Sequence, residues 1–250
     1  RMSVKEGKPL ADKRVRQALL RSLDRETYAK VLLKDTFIAG GPMLPPSLDY
    51  DFDGLMKAYP DKYNVESAKK LLEEAGWKDS DGDGIREKDG QKLQIKWLTY
   101  PSRQELPLLA ESAQATLKDI GMDVDINCTA DNNSVVQDPA AWDVYAMANV
   151  QAPTGDPEYW FNVFATSDAT KNQGAYKNEK LDQLEEQLSQ EFDTDKRAKL
   201  AVEMQQTVLD DNAFVYCSFL KMSQISRANV TGYTAHACDY YQVTADLDIN

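Results

Sequence analysis

The sequence predicts an α/β fold, a single lobe in which a mixed β-sheet is flanked by helices. Three observations carry the prediction. Residues 93–99 alternate apolar and polar side chains, an amphipathic helical pattern follows to about residue 120, and alternation resumes at 124–127 after Gly121. That succession is a β-α-β unit. Residues 142–150 form a more continuously apolar run, as expected of a central strand. No repeat or low-complexity linker divides the 250 residues, so strands and helices mix within one domain.

Taken in order, residues 11–23 read as a helix, with Asp12 near its start and Val15, Ala18, Leu19 and Leu23 on one face. Asp24 caps a second helix over 25–33, whose Val31 and Leu32 extend the apolar face. Gly40-Gly-Pro-Met-Leu-Pro-Pro46 is a rigid loop. An irregular stretch decorated by Tyr50, Phe52, Tyr59 and Tyr63 follows. Asn64 caps a helix over 65–75 that stops at Gly76, with Trp77 packing back on it. After the β-α-β unit and the apolar strand, loop 151–157 leads into an aromatic helix over 158–165. Helices over 177–191 and 194–211 come next, the second with Thr194 as its cap. Residues 214–219 and 224–227 read as strands, and the tail from 230 is rich in aromatics.

Composition narrows the function. Hydrophobic residues make up 42% of the chain, enough for a core, and the formal charge is −12. No apolar run reaches the roughly 18 residues of a membrane span. The acidic balance argues against nucleic acid, whose phosphates need clustered Lys and Arg. Cys128, Cys217 and Cys238 are odd in number and scattered, with no CxxC, which excludes a disulfide framework or zinc ribbon. The first two read as small buried apolar residues. His236 is the sole histidine, so a histidine-based triad would have to use it. GxSxG, HExxH and GxGxxG are absent, which disfavours an enzyme such as a hydrolase. Arg1-Met2-Ser3 lacks the apolar stretch of a signal peptide and reads as a cut start.

Two stretches have chemical promise. Arg103, in Tyr100-Pro-Ser-Arg-Gln-Glu-Leu-Pro107, follows the carboxyl end of a strand, where ligands of open α/β sheets bind. Its planar guanidinium can hold a carboxylate with two parallel hydrogen bonds, or simply pair with Glu105. Asp79-Ser-Asp-Gly-Asp-Gly-Ile85 matches the first half of a calcium loop, but position twelve falls on Gly90. A polar turn before a strand is the favoured reading there.

Several stretches, read in order, resemble one family. Asp12-Lys-Arg-Val-Arg-Gln-Ala-Leu19 with Ser22-Leu-Asp-Arg25, Gly41-Pro-Met-Leu-Pro-Pro46, Ala68-Lys-Lys-Leu-Leu-Glu-Glu-Ala-Gly-Trp77 and Asp156-Pro157 before the aromatic helix are similar to the peptide/nickel solute-binding proteins (family 5) of ABC importers. The resemblance implies a type II periplasmic-binding-protein-like fold and no enzymatic activity. It implies that residues 1–250 are the C-terminal lobe of a two-lobed protein, with the N-terminal lobe and a signal peptide or lipid anchor upstream. The protein would work outside the cytoplasm, close on a small-molecule or metal-chelate ligand, and deliver it to permease subunits in the membrane.

The resemblance also bears on the ligand. Peptide binders of the family typically place an aspartate three residues before Asp-Pro, where it pairs with the peptide's α-amine. Pro153 stands there in this chain and carries no charge. Ala152-Pro-Thr-Gly-Asp-Pro157 looks more like the nickel-binding branch. Ser102-Arg-Gln-Glu-Leu-Pro107 resembles that branch's arginine loop, and Thr234-Ala-His-Ala-Cys-Asp-Tyr-Tyr241 its end. A nickel ion or nickel chelate is therefore the expected cargo. Arg103 would face its carboxylates, Tyr100, Trp142 and Asp156 would line the site, and His236 would be a metal ligand. The alternatives are an oligopeptide or dipeptide binder of the same family and a pure interaction module.

Overall fold

The computed structural model describes residues 1–48, 50–59, 61–223, 225–234 and 243–250. Helix α1 (Lys13–Arg21) opens where the Asp12 carboxylate accepts the Arg14 N–H at 2.9 Å. Its apolar stripe, Val15, Ala18, Leu19 and Leu20, is fully buried. Arg16 points inward as well. Its guanidinium donates to the carbonyls of Leu10 and Ala11 at 2.9 Å and of Asp211 at 2.8 Å. The arginine of the Val-Arg-Gln-Ala-Leu stretch is thus a structural pin.

Helix α2 (Arg25–Thr27), capped by Asp24, runs directly into a π-helical turn, Tyr28–Leu32, where the Leu33 N–H reaches back to the Tyr28 carbonyl at 3.0 Å. The wider turn advances the helical phase, and Val31 and Leu32 face solvent instead of the core. Strand β1 (Phe37–Ala39) and helix α3 (Phe52–Ala58) occupy segments that carry no clear periodicity. Helix α4 (Val65–Glu74) begins at the Asn64 cap, and Trp77 folds back into the core.

Strands β2 (Glu87–Lys88) and β3 (Gln91–Lys92) form a hairpin whose turn residues, Asp89 and Gly90, both have positive φ. Next come β4 (Gln94–Thr99), α5 (Glu105–Lys118), β5 (Asp123–Cys128), α6 (Asn132–Val135) and β6 (Val144–Tyr145). The sheet order is β5-β4-β6, all parallel, with Trp97 opposite Ile126 on one side and Val144 on the other. An antiparallel bridge from Met2 to Val144 makes the layer mixed. The central strand is therefore β4. The 142–150 run supplies only the two residues of β6, since beyond Tyr145 the chain leaves the sheet.

Helix α7 (Glu158–Trp160) also passes into a π-helical turn, Phe161–Ala165. Helix α8 (Glu179–Gln190) is capped by Asn178. Helix α9 (Thr194–Asp211) is capped by Asp193, one residue before the expected Thr194. Strand β7 (Ser218–Leu220) pairs antiparallel with β1, and β8 (Val230–Thr231) with β9 (Asp248–Ile249). Residues 225–227 are not in a strand. No helix among the described residues is long and apolar enough to cross a membrane.

One core spans the lobe. Leu19 and Leu72 join α1 to α4, Ile95 and Leu117 join the sheet to α5, and Phe161 and Met204 bring in the acidic helices. Each such buried side chain contributes about 1.5–3 kcal/mol. A smaller cluster of Leu98, Val136, Trp142 and Tyr145 lies under the carboxyl ends of the strands. Cys128 is exposed at the end of edge strand β5, against the expectation of burial, whereas Cys217 is partly buried as a residue and burial pushes its thiol's pKa up. At Cys128 the reason is that the edge strand's last residues face solvent.

Candidate functional site

From β4 the chain crosses through α5 to β5 on one side, and it returns through α6 to β6 on the other. The direction of winding reverses between β4 and β6. Beyond the carboxyl ends of those two strands lies the usual ligand crevice of an open parallel sheet.

Thr99 and Tyr100 end β4, and both reach across to the segment leaving β6. The Thr99 hydroxyl donates to the Ala146 carbonyl at 3.4 Å, and the Tyr100 hydroxyl accepts the Ala148 N–H at 3.1 Å. The Tyr100 ring meets Tyr145 edge-on at 6.5 Å. Behind them Asn132 donates to the Tyr145 hydroxyl at 2.6 Å, and burial pushes that phenol's pKa up.

Arg103 sits in the exposed turn between Tyr100 and α5. It has no ion-pair partner among the described residues, Glu105 included. The positive end of α5 lies beside it, with no side chain capping the first turn. A fixed cation next to a helix N-terminus favours an anion. Tyr100 is half-buried.

Trp142, expected among the lining residues, is buried. It is 1% exposed, stacks edge-on against Tyr145 at 6.3 Å and donates its indole N–H to the Val136 carbonyl at 3.0 Å. It supports the site from beneath. Asp156 is engaged elsewhere too. Its oxygens accept from the Arg197 guanidinium at 2.9 and 2.8 Å, while Glu158 takes the same nitrogen at 2.8 Å. Arg197 also donates to the carbonyls of Leu188 and Glu191, closing the end of α8. These two carboxylates hold the arginine's pKa above its usual value, Glu158 most. Asp156 therefore anchors loop 151–157 to the acidic helices, and Tyr50 adds a bond to the Gly155 carbonyl at 3.0 Å. His236, with Cys238, lies outside the described residues.

The structure thus leaves Tyr100 and Arg103 together at the strand ends and assigns Trp142 and Asp156 supporting places. Sequence reasoning missed Arg197, because its partners lie 41 and 39 residues away. It also missed Tyr28, whose hydroxyl donates to the Glu105 carbonyl at 2.7 Å and so holds the start of α5.

The Asp79 loop lies at the opposite edge of the sheet, where the Arg86 N–H meets the Gly121 carbonyl ahead of β5. Asp79, Asp81, Asp83 and Glu87 bring one oxygen each to within 4.8 Å of one another. Glu87 is the member that counting to position twelve overlooked. The loop's own N–H groups take up these carboxylates, from Gly82 and Gly84 to Asp79 and from Ile85 to Asp83, and Lys92 sits on Asp83. An open hollow of about 460 Å³ beside it, lined by Lys69, Glu73, Lys78 and Arg86, contains none of the expected site residues.

Comparison with known proteins bears on the family and the fold. A family model described as "Bacterial extracellular solute-binding proteins, family 5 Middle" matches residues 2–172. The oligopeptide-binding protein AppA of Bacillus subtilis is 31% identical over 229 residues, covering 90% of this chain and 42% of that protein. The nickel-binding protein NikA of Staphylococcus aureus is 31% identical over 140 residues, 56% of this chain and 26% of that protein. Among solved structures, NikA from Staphylococcus aureus in complex with Ni(L-His)2 superposes with a TM-score of 0.76 at 24% identity, over 95% of this chain and 48% of that one. AppA in complex with a nonapeptide gives 0.72 at 24%, over 91% and 45%. The chain spans less than half the length of these curated relatives. The α/β fold is common to all of them.

Proposed function

Since the chain belongs to the family 5 bacterial extracellular solute-binding proteins, a non-enzymatic family, we propose that it is the C-terminal lobe of the substrate-binding component of an ABC importer and that Arg103 takes a carboxylate of the cargo. The cargo class favoured here is a nickel ion carried by a small carboxylate-bearing chelator. The single observation behind this reading is a guanidinium at the carboxyl ends of the parallel strands, beside the start of α5, that has no ion-pair partner among the described residues. A charge kept free of partners at that place is matched by an anionic ligand.

The amine-binding side of a peptide site finds less support. Asp156 is spent on Arg197, and Pro153 offers no charge where an amine clamp would stand. His236 is proposed as the metal's protein ligand, with the chelator completing the coordination. The cycle follows from these parts. The ligand bridges this lobe and its partner lobe, its charges favour the closed form, and the closed form docks on the permease. No bond is made or broken.

An oligopeptide cargo is the second reading. It is favoured by the likeness to AppA, which extends over 90% of the chain, and Arg103 would then meet a peptide carboxylate. Calorimetry on the two-lobed protein separates them. Heat with Ni²⁺ that requires added L-histidine is expected. Tight binding of a nine-residue peptide with no response to Ni²⁺ would replace the first reading by the second.

A further inference from the structure

We propose that Tyr28 is a positioning residue for the Arg103 turn. This inference rests on Arg103 being the contact for a ligand carboxylate. The turn is short and its side chains at 101–104 are exposed, so little packing holds it. It is pinned instead at its two ends. At one, the Tyr100 hydroxyl is tied to the Ala148 N–H at 3.1 Å. At the other, the Tyr28 hydroxyl donates at 2.7 Å to the carbonyl of Glu105, two residues past the arginine.

Tyr28 is built for this place. It is 4% exposed, and it is the residue at which α2 widens into a π-helical turn, its own carbonyl accepting from Leu33 five residues on. Such turns interrupt α-helices at a local cost and recur at functional sites. Here the widened segment lies against α5, and Leu23, Arg25 and Tyr28 line one small hollow together with Leu109, Ala113 and Thr116. Burial drives the phenol's pKa up, so the hydroxyl keeps its proton and stays a donor. The carbonyl of Glu105 has a second lone pair free for this bond while the helix uses the first. With both ends fixed, the backbone that carries the arginine has few arrangements, and less ordering of the turn is left for the ligand to impose.

The experiment uses the full two-lobed protein and one probe, Ni²⁺ with two equivalents of L-histidine, with a nine-residue peptide as the substitute if that probe gives no heat. Tyr28→Phe, Arg103→Ala and the double variant are titrated by calorimetry. Amide hydrogen exchange is followed in each. Tyr28→Phe should weaken binding roughly three- to tenfold, the size of one neutral hydrogen bond, and speed exchange at residues 101–106 alone. In the Arg103→Ala background it should change affinity no further. If Arg103→Ala weakens binding but Tyr28→Phe does not, or if the two losses add in full, Tyr28 has no positioning role while the arginine reading stands. An affinity loss accompanied by faster exchange throughout the lobe also overturns it. If Arg103→Ala leaves affinity unchanged, or neither probe binds, the arginine reading falls first and takes this inference with it.

Discussion

Arg197 holds both oxygens of Asp156, at 2.9 and 2.8 Å, and reaches Glu158 with the same nitrogen. One guanidinium on α9 therefore fixes the loop that follows β6 and the first residue of α7. The aspartate before Pro157 looks like a ligand residue in the sequence and serves as an anchor in the fold. Arg197→Ala should destabilise the protein by about 1–3 kcal/mol, the range for charged hydrogen bonds left unmade. Arg197→Lys should rescue little of this, since an ammonium cannot span two carboxylates and two carbonyls in one plane. Thermal unfolding checks the size, and hydrogen exchange at residues 151–157 should show the loss locally.

Arg103→Ala should weaken binding of the nickel–histidine probe by about 1.5–3 kcal/mol, or roughly ten- to a hundredfold. The unfolding temperature should hardly move, because the side chain has no partner among the described residues. Calorimetry with a parallel thermal scan tests both halves. Unchanged affinity would remove the residue from the site.

Trp142→Phe tests the supporting role of the indole. The change leaves the Val136 carbonyl buried without its donor, which costs about 1–3 kcal/mol. Stability measured by urea unfolding should fall by that amount. Ligand affinity should fall less than in Arg103→Ala; a larger fall would mean that the indole itself reaches the cargo.

Arg16→Met should cost about 3 kcal/mol or more, because three carbonyls, those of Leu10, Ala11 and Asp211, lose a buried charged donor together. Poor yield of soluble protein with normal affinity in the folded fraction is the expected pattern. A stable variant with lost binding would reverse the assignment.

The acid limb of stability should involve Asp12. Its carboxyl pKa lies below the ordinary 3.8, chiefly through the hydrogen bond from the Arg14 side chain. The ionised form is thus favoured in the folded state. The stabilisation is complete above about pH 3.8 and is lost as pH falls through the lower folded value. Asp12→Asn keeps an acceptor for the helix cap but not the charge, so it should flatten stability in that window and be less stable than the parent at pH 7, the two converging at low pH. Asp12→Ala removes the cap and should cost roughly 1 kcal/mol at every pH. Unfolding curves between pH 2 and 7 distinguish the two.

Local patterns carried much of the fold. α1, α4 and α9 follow from spacing and caps, because each buries one stripe and starts at a side chain able to accept an N–H, while α5 follows from spacing alone. β4 and β5 follow from alternation. Three features were hidden for definite reasons. Strand β1 is only Phe37 to Ala39 and exists because residues 218–220 pair with it. Helix α3 enters through a left-handed Asp51 and contains Gly54, both poor helix signals. The π-helical turns shift the apolar phase, so Val31 and Leu32 were assigned to the wrong face.

Near the strand ends, the exposed turn that carries Arg103 was legible because it lies between an alternating strand and a helix. Asp156 was not, because its charge is matched by a residue on a distant helix. Trp142 was misplaced among the lining residues because size and aromaticity suit a core and a cleft equally. The Tyr28 bond spans 77 residues, and nothing in either stretch announces the other.

The ribbon of β1 and β7 joins Phe37 to Leu220. The ribosome must make the whole stretch between the two strands before the second emerges, so the first must wait, unpaired, while the intervening helices and sheet are synthesised. Closing so wide a span is slow compared with winding a helix. The nascent chain should therefore remain open to chaperones or export machinery until residues 218–220 appear, and a chain cut short before them should leave the first strand with no mate.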